Sequence, residues 1–190
     1  MRLLFIDGNN IAMRSFFANE HLVDQQGLAV GAIFGCLRTL FKIASELRPA
    51  RVFWFWDGGR SEYRQKLYPD YKKRRRETDE LRMDCFREQV SRLKNYLSLL
   101  GVVQLCQKGQ EADDLIYYAR KLLEEDEVFI ASADRDFLQM IDERTKIYNL
   151  GDNKVLDLHR FRTNYSLEPQ QWPLVRAISG DSSDNIKGVA

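Results

Sequence analysis

Four short runs along the chain are almost wholly apolar and rich in β-branched and aromatic residues: RLLFID (2–7), RVFWFWD (51–57), VVQLC (102–106) and VFIAS (128–132). Runs of this length and composition predict buried strands. Between the first two, Val30, Ile33, Phe34, Leu37, Phe41, Ala44 and Leu47 recur at helical spacing, with Arg38, Lys42, Ser45 and Glu46 off that face, so an amphipathic helix is expected there. Leu93, Leu97 and Leu100 end a second helix. Leu115, Ile116, Ala119, Leu122 and Leu123 mark a third, and Trp172, Leu174, Val175 and Ile178 a fourth. KIYNL (146–150) and KVLDL (154–158), joined by GDN, predict an edge hairpin. Strands alternating with helices imply an α/β fold, a mostly parallel central sheet with helices on both faces, because right-handed crossovers leave few other topologies. Ligands of such sheets gather at the carboxyl ends of the strands.

Composition narrows this picture. The 190 residues suit one domain with a sizeable core. With 29 basic and 28 acidic residues the net charge is +1, so the distribution of charge is more informative than its sign. Cys36, Cys85 and Cys106 stand apart with no CxxC spacing and are expected to be buried free thiols in a reducing compartment. No apolar run approaches the roughly 20 residues that span a bilayer, and Asp7 interrupts the N-terminal run too early for a signal peptide. The expectation is a soluble cytoplasmic protein with no membrane partner. Two histidines, His21 and His159, leave little for zinc sites or His-based triads. Any metal chemistry falls to carboxylates.

Those carboxylates follow the strands. The first run ends in Asp7 and continues Gly8-Asn9-Asn10; the second ends in Asp57 before Gly58-Gly59. The third leads into Glu111, Asp113 and Asp114, and the fourth into SADRD with Asp134 and Asp136. Taken singly, each has an ordinary local role, since Asp-Gly and Asp-Asn make turns and acids favour helix starts. A parallel sheet, however, brings all four strand ends to one edge, where seven like charges require neutralisation. GDSSDN (180–185) adds Asp181 and Asp184. An all-oxygen donor set suits Mg²⁺ or Mn²⁺. Nine acids exceed the needs of one ion, and two ions about 4 Å apart are the arrangement used in phosphodiester cleavage.

A basic segment, RSEYRQKLYPDYKKRRR (60–76), carries eight basic residues against two acidic ones, a local charge of +6. Arg60, Arg64, Lys66, Lys72, Lys73, Arg74, Arg75 and Arg76 are interleaved with Tyr63, Tyr68 and Tyr71. Cations that meet phosphates and rings that stack on unpaired bases make a groove for single-stranded nucleic acid. With the charged stretch 77–92, the segment predicts a mobile helical insertion over the acidic edge.

Asp7-Gly8-Asn9-Asn10, Asp57-Gly58, YPDYKKRR, EADD, SADRD and GDSSDNIKGV occur in order, and the chain resembles the flap endonuclease and 5'-3' exonuclease family in its bacterial and phage branch, including the N-terminal nuclease domain of bacterial DNA polymerase I. The resemblance covers essentially the whole chain. It implies one catalytic domain over residues 1–190 with a PIN-like or resolvase-like sheet, an arch insertion at about 60–95, and the start of a helix-three-turn-helix module from about 166. Asp7, Asp57, Glu111, Asp113 and Asp114 would serve one metal and Asp136, Asp181 and Asp184 a second, with Asp134 between them. Lys72 would contact the scissile phosphate, Tyr71 would stack on the terminal base, and Arg64 and Arg75 would bind phosphate. The implied activity is hydrolysis of DNA at 5' ends, flaps or branches by a monomer, with RNA in RNA-DNA hybrids as a further substrate. The family pattern has proline at the position of Lys187 and continues beyond Ala190. The module is therefore expected to be truncated, and the K⁺ it often holds would need it complete. The alternatives are a PIN-type ribonuclease and a structure-specific DNA-binding protein without catalysis.

Overall fold

The computed structural model describes residues 1–59, 61–72, 80–124, 126–182 and 184–189, and of Glu62 the backbone alone. Arg60, Lys73, Arg74, Arg75 and Arg76 therefore lie outside the described residues. Six strands form one sheet in the order β3-β2-β1-β4-β5-β6, where β1 is Arg2–Asp7, β2 Arg51–Trp56, β3 Val103–Cys106, β4 Glu127–Ser132, β5 Thr145–Asn149 and β6 Lys154–Leu156. The first five pair in parallel, and β6 closes the edge antiparallel to β5 as a hairpin. The strand order reverses at β1, next to β4, and that reversal is where open α/β sheets form their ligand crevice.

The helices are α1 (Gly8–Ala18), α2 (Gly31–Leu47), α3 (Glu62–Leu67), α4 (Glu80–Leu99), α5 (Ala112–Leu122), α6 (Leu158–Tyr165) and α7 (Trp172–Ser179). Side chains alternate across β1. Leu4 and Ile6 join Trp54, Trp56, Phe129 and Tyr148 beneath α1, α2 and α4, whereas Leu3 and Phe5 join Phe55, Val128, Ile130 and Ile147 on the opposite face with Ile116, Phe161 and Trp172. Burial on both faces explains why these strands read as continuous apolar runs. β3 departs from expectation: it starts at Val103, lies at the sheet edge and leaves Val103 and Leu105 exposed. Of the cysteines, Cys36 is buried, Cys85 partly so, and Cys106, at the end of this edge strand, is exposed. No helix among the described residues is long and apolar enough to cross a membrane.

Two glycines fix the approach of loops to the acidic edge. A Cβ on Gly8 would stand 2.1 Å from Trp54 Nε1 and 2.6 Å from the Phe55 carbonyl oxygen, so α1 leaves β1 in contact with β2. A Cβ on Gly58 would fall 1.7 Å from the Gln107 carbonyl oxygen. There the turn after β2 is laced to the turn after β3, Gly58 N–H donating to Gln110 O at 2.8 Å and Gly109 N–H to Gly58 O at 2.9 Å. Gly8→Ala is expected to cost about 1–3 kcal/mol through overpacking, read as a lower denaturation midpoint with an unchanged m-value.

The stretch expected to stand free over the edge divides into two parts. α3 is a short helix with Tyr63 and Leu67 exposed, whereas α4 buries Phe86, Gln89, Leu93 and Leu97 in the core. Gln89 also caps α2, its Oε1 accepting the Ala32 N–H at 2.8 Å. The core therefore claims one face of α4, from Phe86 to Leu97, a helix that begins within the stretch that the charge count assigned to an arch.

Candidate metal centre and nucleic-acid interface

Asp7 sits at the switch point and is 8% exposed. Its Oδ1 accepts the Asn10 N–H at 3.2 Å, capping α1, and its Oδ2 accepts the Ser132 hydroxyl at 2.9 Å. Ser132 in turn accepts the Asp134 N–H at 3.0 Å, so one hydroxyl ties the acids after β1 and β4 together. Burial pushes the Asp7 carboxyl up to about 7, and the charges of Asp57 and Asp134 push the same way against the bonds from Asn10 and Ser132.

Asn9 and Asn10 complete this arrangement. Asn9 Oδ1 accepts the Asp57 N–H at 3.1 Å, and Asn10 Oδ1 accepts the Ala133 N–H at 3.2 Å. The ends of β1, β2 and β4 are thereby strapped side by side. Asp57 extends the chain of contacts, its Oδ1 accepting the Ala112 N–H at 2.8 Å at the start of α5. Asn10→Ala is expected to leave the Ala133 N–H without its acceptor and cost about 1–3 kcal/mol, measured by denaturant titration.

The first turn of α5 carries the second acidic group. Glu111 is buried at 4% exposure, and its Oε2 accepts from Arg64 Nη1 at 3.0 Å, Tyr71 Oη at 2.9 Å and Lys72 Nζ at 2.8 Å. Burial opposes its charge, but the Lys72 bond and charge, with Tyr71 and Arg64, hold its carboxyl below the usual range. Arg64 also grips both oxygens of Asp114, at 2.8 and 3.0 Å, and reaches Asp113 Oδ2 at 3.5 Å. Asp113 is pushed up to about 6, foremost by burial, despite the Arg64 charge.

The third group surrounds the turn after β4. Asp134 caps a short 3-10 turn (Arg135–Met140) by accepting the Asp136 N–H at 2.8 Å. Its carboxyl is raised by burial and by the charges of Asp136, Asp184 and Asp181. Arg176 on α7 bonds Asp136 Oδ1 at 2.7 Å and also pairs with Asp181. Asp181 and Asp184 belong to a small ladder of Gly180–Asp181 and Ile186–Lys187 and the turn between them. That turn faces the basic segment: Lys72 N–H donates to Asp184 O at 3.0 Å, and Lys72 Nζ lies 3.8 Å from Asp184 Oδ2. Lys72 adopts a left-handed backbone at φ 54, a conformation that costs a β-carbon-bearing residue about 1 kcal/mol or more.

All nine predicted acids are thus linked into one edge, joined by named bonds or like-charge coupling. Among the described residues no three carboxylates stand close enough, as placed, to grip one ion. Arg64, Lys72 and Arg176 lie between them instead. Of the predicted nucleic-acid contacts, Arg64 and Lys72 face the acids and Lys66 is exposed on α3. Arg60, Lys73, Arg75 and Arg76 lie outside the described residues. Tyr71 is 7% exposed. Burial raises the pKa of its hydroxyl foremost, then the charges of Asp184 and Glu111, so it stays a neutral donor to Glu111. A buried ring offers no face to a base, and the stacking expected of Tyr71 requires this segment to move. Asn9, Asn10 and Ser132 stand within the Asp-Gly-Asn-Asn and SADRD motifs without a role of their own there, and Arg176 carries no sequence signal. Asn-Asn after Asp-Gly reads as a turn, and each partner is at least 40 residues away or unremarkable in type.

A cleft of about 590 Å³ is lined by Asp113, Asp136 and Asp184 together with Leu67, Tyr68 and Ile186. Another hollow, about 650 Å³, lies at the far end of α5 against Arg120, Asp142 and Arg144 and shares none of these acids.

Residues 2–166 match the family model described as 5'-3' exonuclease, N-terminal resolvase-like domain. The chain is 35% identical to a 5'-3' exonuclease of Aquifex aeolicus, the alignment covering 100% of this chain and 65% of that protein. It is 34% identical to the thermostable DNA polymerase I of Thermus thermophilus over 99% of this chain and 22% of the polymerase. The chain thus spans less than two thirds of the Aquifex protein and about a fifth of the polymerase. Among solved structures, the T5 D15 protein co-crystallised with metal ions superposes with a TM-score of 0.81 at 22% identity, over 100% of this chain and 70% of that one. The catalytic core of Rad2 in complex with DNA superposes with a TM-score of 0.59 at 18% identity over 99% of this chain and 56% of that one. These likenesses establish a shared fold.

Proposed function

Because the chain belongs to the 5'-3' exonuclease family, whose N-terminal resolvase-like domain its residues 2–166 match, we propose that it is a divalent-cation-dependent 5'-nuclease hydrolysing phosphodiesters in DNA at 5' ends, flaps or branches. The observation that carries this reading is Asp7, a carboxyl buried at the switch point and raised by burial and by its acidic neighbours. Such frustration is relieved by cations at the edge. The donors are carboxylate oxygens, which fit Mg²⁺, with Mn²⁺ as substitute. The T5 D15 flap endonuclease, solved in a complex with DNA and metal ions, has this fold.

Asp7, Asp57, Glu111, Asp113 and Asp114 would hold one ion and Asp136, Asp181 and Asp184 a second, with Asp134 shared. When bound, the ions would lower the pKa of an attacking water and offset charge on the leaving oxygen. The chain's own residues do the rest. Asn9, Asn10 and Ser132 hold the strand-end acids in register. Lys72, between Glu111 and Asp184, would contact the scissile phosphate with its ammonium, a charge-stabilising role. Arg64 and Arg75 are the further phosphate contacts, with Arg60, Lys66, Lys73 and Arg76 along the strand's path. RNA in RNA-DNA hybrids is the additional substrate, and the protein acts as a cytoplasmic monomer.

The test is cleavage of a 5'-labelled flap DNA and of an unstructured RNA of equal length, with and without Mg²⁺. The reading requires Mg²⁺-dependent release of labelled product from the flap. Preferential cutting of the RNA would favour a PIN-type ribonuclease, and retardation of branched DNA without cleavage in either cation would make the protein a binder.

A further inference from the structure

We propose that Arg64 is a built-in counter-ion for the acids at the start of α5, exchanged for a divalent cation rather than supplemented by it, so that cation entry and release of α3 are one event. The inference rests on the reading that these acids hold such a cation. Glu111 Oε2 already accepts three donors, and both Asp114 oxygens accept Arg64. A carboxylate oxygen offers two lone pairs, so Glu111 Oε2 has none left for an ion, and an ion reaching either Asp114 oxygen meets the guanidinium already seated there.

Charge balance points the same way. Glu111, Asp113 and Asp114 carry three negative charges, and Arg64 and Lys72 two positive ones. For these three acids alone, a dication beside both cations would leave a surplus of one positive charge, and a dication replacing Arg64 leaves neutrality; Asp7 and Asp57 stand outside this count. Arg64 is the donor best suited to leave. Lys72 is anchored through its own N–H to Asp184 O, whereas Arg64 sits on a helix of six residues whose Tyr63 and Leu67 are 71% and 67% exposed. Its bonds to Glu111 and Asp114 fasten α3 to the body. Once displaced, its forked guanidinium is matched to a phosphate. The exchange would thus convert an internal ion pair into a substrate contact.

The experiment measures Mn²⁺ binding directly by calorimetry, without DNA, on the wild-type chain, Arg64→Gln and Arg64→Lys. Removing the competitor is expected to tighten Mn²⁺ binding about ten- to a hundredfold in Arg64→Gln, with Arg64→Lys between it and the wild type. Equal or weaker binding by Arg64→Gln with an unchanged circular dichroism spectrum would overturn the exchange. Limited trypsin digestion of the wild type supplies a readout independent of any variant: Mn²⁺ should speed cleavage after Arg64 and Lys66 several-fold, and slower or unchanged cleavage counts against the proposal. A wild-type chain that binds no Mn²⁺ would remove the metal reading itself, and the exchange with it. Binding without tightening in the variant removes the exchange alone.

Discussion

Asp7→Asn is expected to stabilise the cation-free protein while abolishing the hydrolytic activity proposed for it. The Asp7 carboxyl is buried, with Asp57 and Asp134 nearby, so its charged form is disfavoured and it holds its proton up to about 7. An amide of the same shape keeps an oxygen for the Asn10 N–H and presents an NH₂ to Ser132 Oγ, without the charge. At pH 8 and without divalent cations the variant should melt several degrees above the wild type. Cleavage of flap DNA in Mg²⁺ should fall by about a thousandfold or more, the loss of several kcal/mol of charge stabilisation in the transition state. A variant that cuts at the wild-type rate would take Asp7 out of the machinery. One that melts below the wild type in chelator would show that its charge is not the source of frustration.

Stability of the wild type without divalent cations is expected to fall as pH rises from 4 to 7. In that window the folded protein keeps a proton on Asp7 that the unfolded chain has lost, so the native state binds more protons and each step up in pH favours unfolding. The displacement from an ordinary carboxyl to about 7 sets the scale, on the order of 4 kcal/mol across the window, or roughly 10 °C in melting temperature for a chain of this size. Asp113, raised to about 6, acts in the same direction. Glu111, held below its usual range, acts oppositely, at the acid end of this window and beneath it. Millimolar Mg²⁺ should flatten the profile, because a bound cation favours the charged form. Melting curves at pH 5 and pH 8, with chelator and with Mg²⁺, check the prediction. A chelated protein that melts higher at pH 8 than at pH 5 would refute it.

The sheet and its acids were legible because their signals are local. β1, β2 and β4 are apolar on both faces, α2 keeps one apolar stripe, and Asp7, Asp57 and Asp134 stand at the ends of these strands or within two residues of them. The shortfalls share a cause in partners far away along the chain. Asp7-Gly8-Asn9-Asn10 has turn composition, yet Asp7 caps α1 and Gly8 is small because Trp54 is there. The Asn10 partner is 123 residues distant and the Ser132 partner 125. α6, with Phe161 as its buried residue, offers too little apolar periodicity to be read. Tyr71 and Arg64 have the composition of nucleic-acid contacts, and that composition says nothing of the buried carboxylates they meet first.

The side chains that strap the strand ends together also hold amides that irregular backbone would ordinarily leave to water. Asn9 holds Asp57 N–H, Asp57 holds Ala112 N–H, Asn10 holds Ala133 N–H and Ser132 holds Asp134 N–H. Their deuterium uptake therefore reports the integrity of the edge position by position, with no substrate and no turnover. A variant that lets one of the four exchange early identifies which tie has opened, and local opening can be told apart from global unfolding.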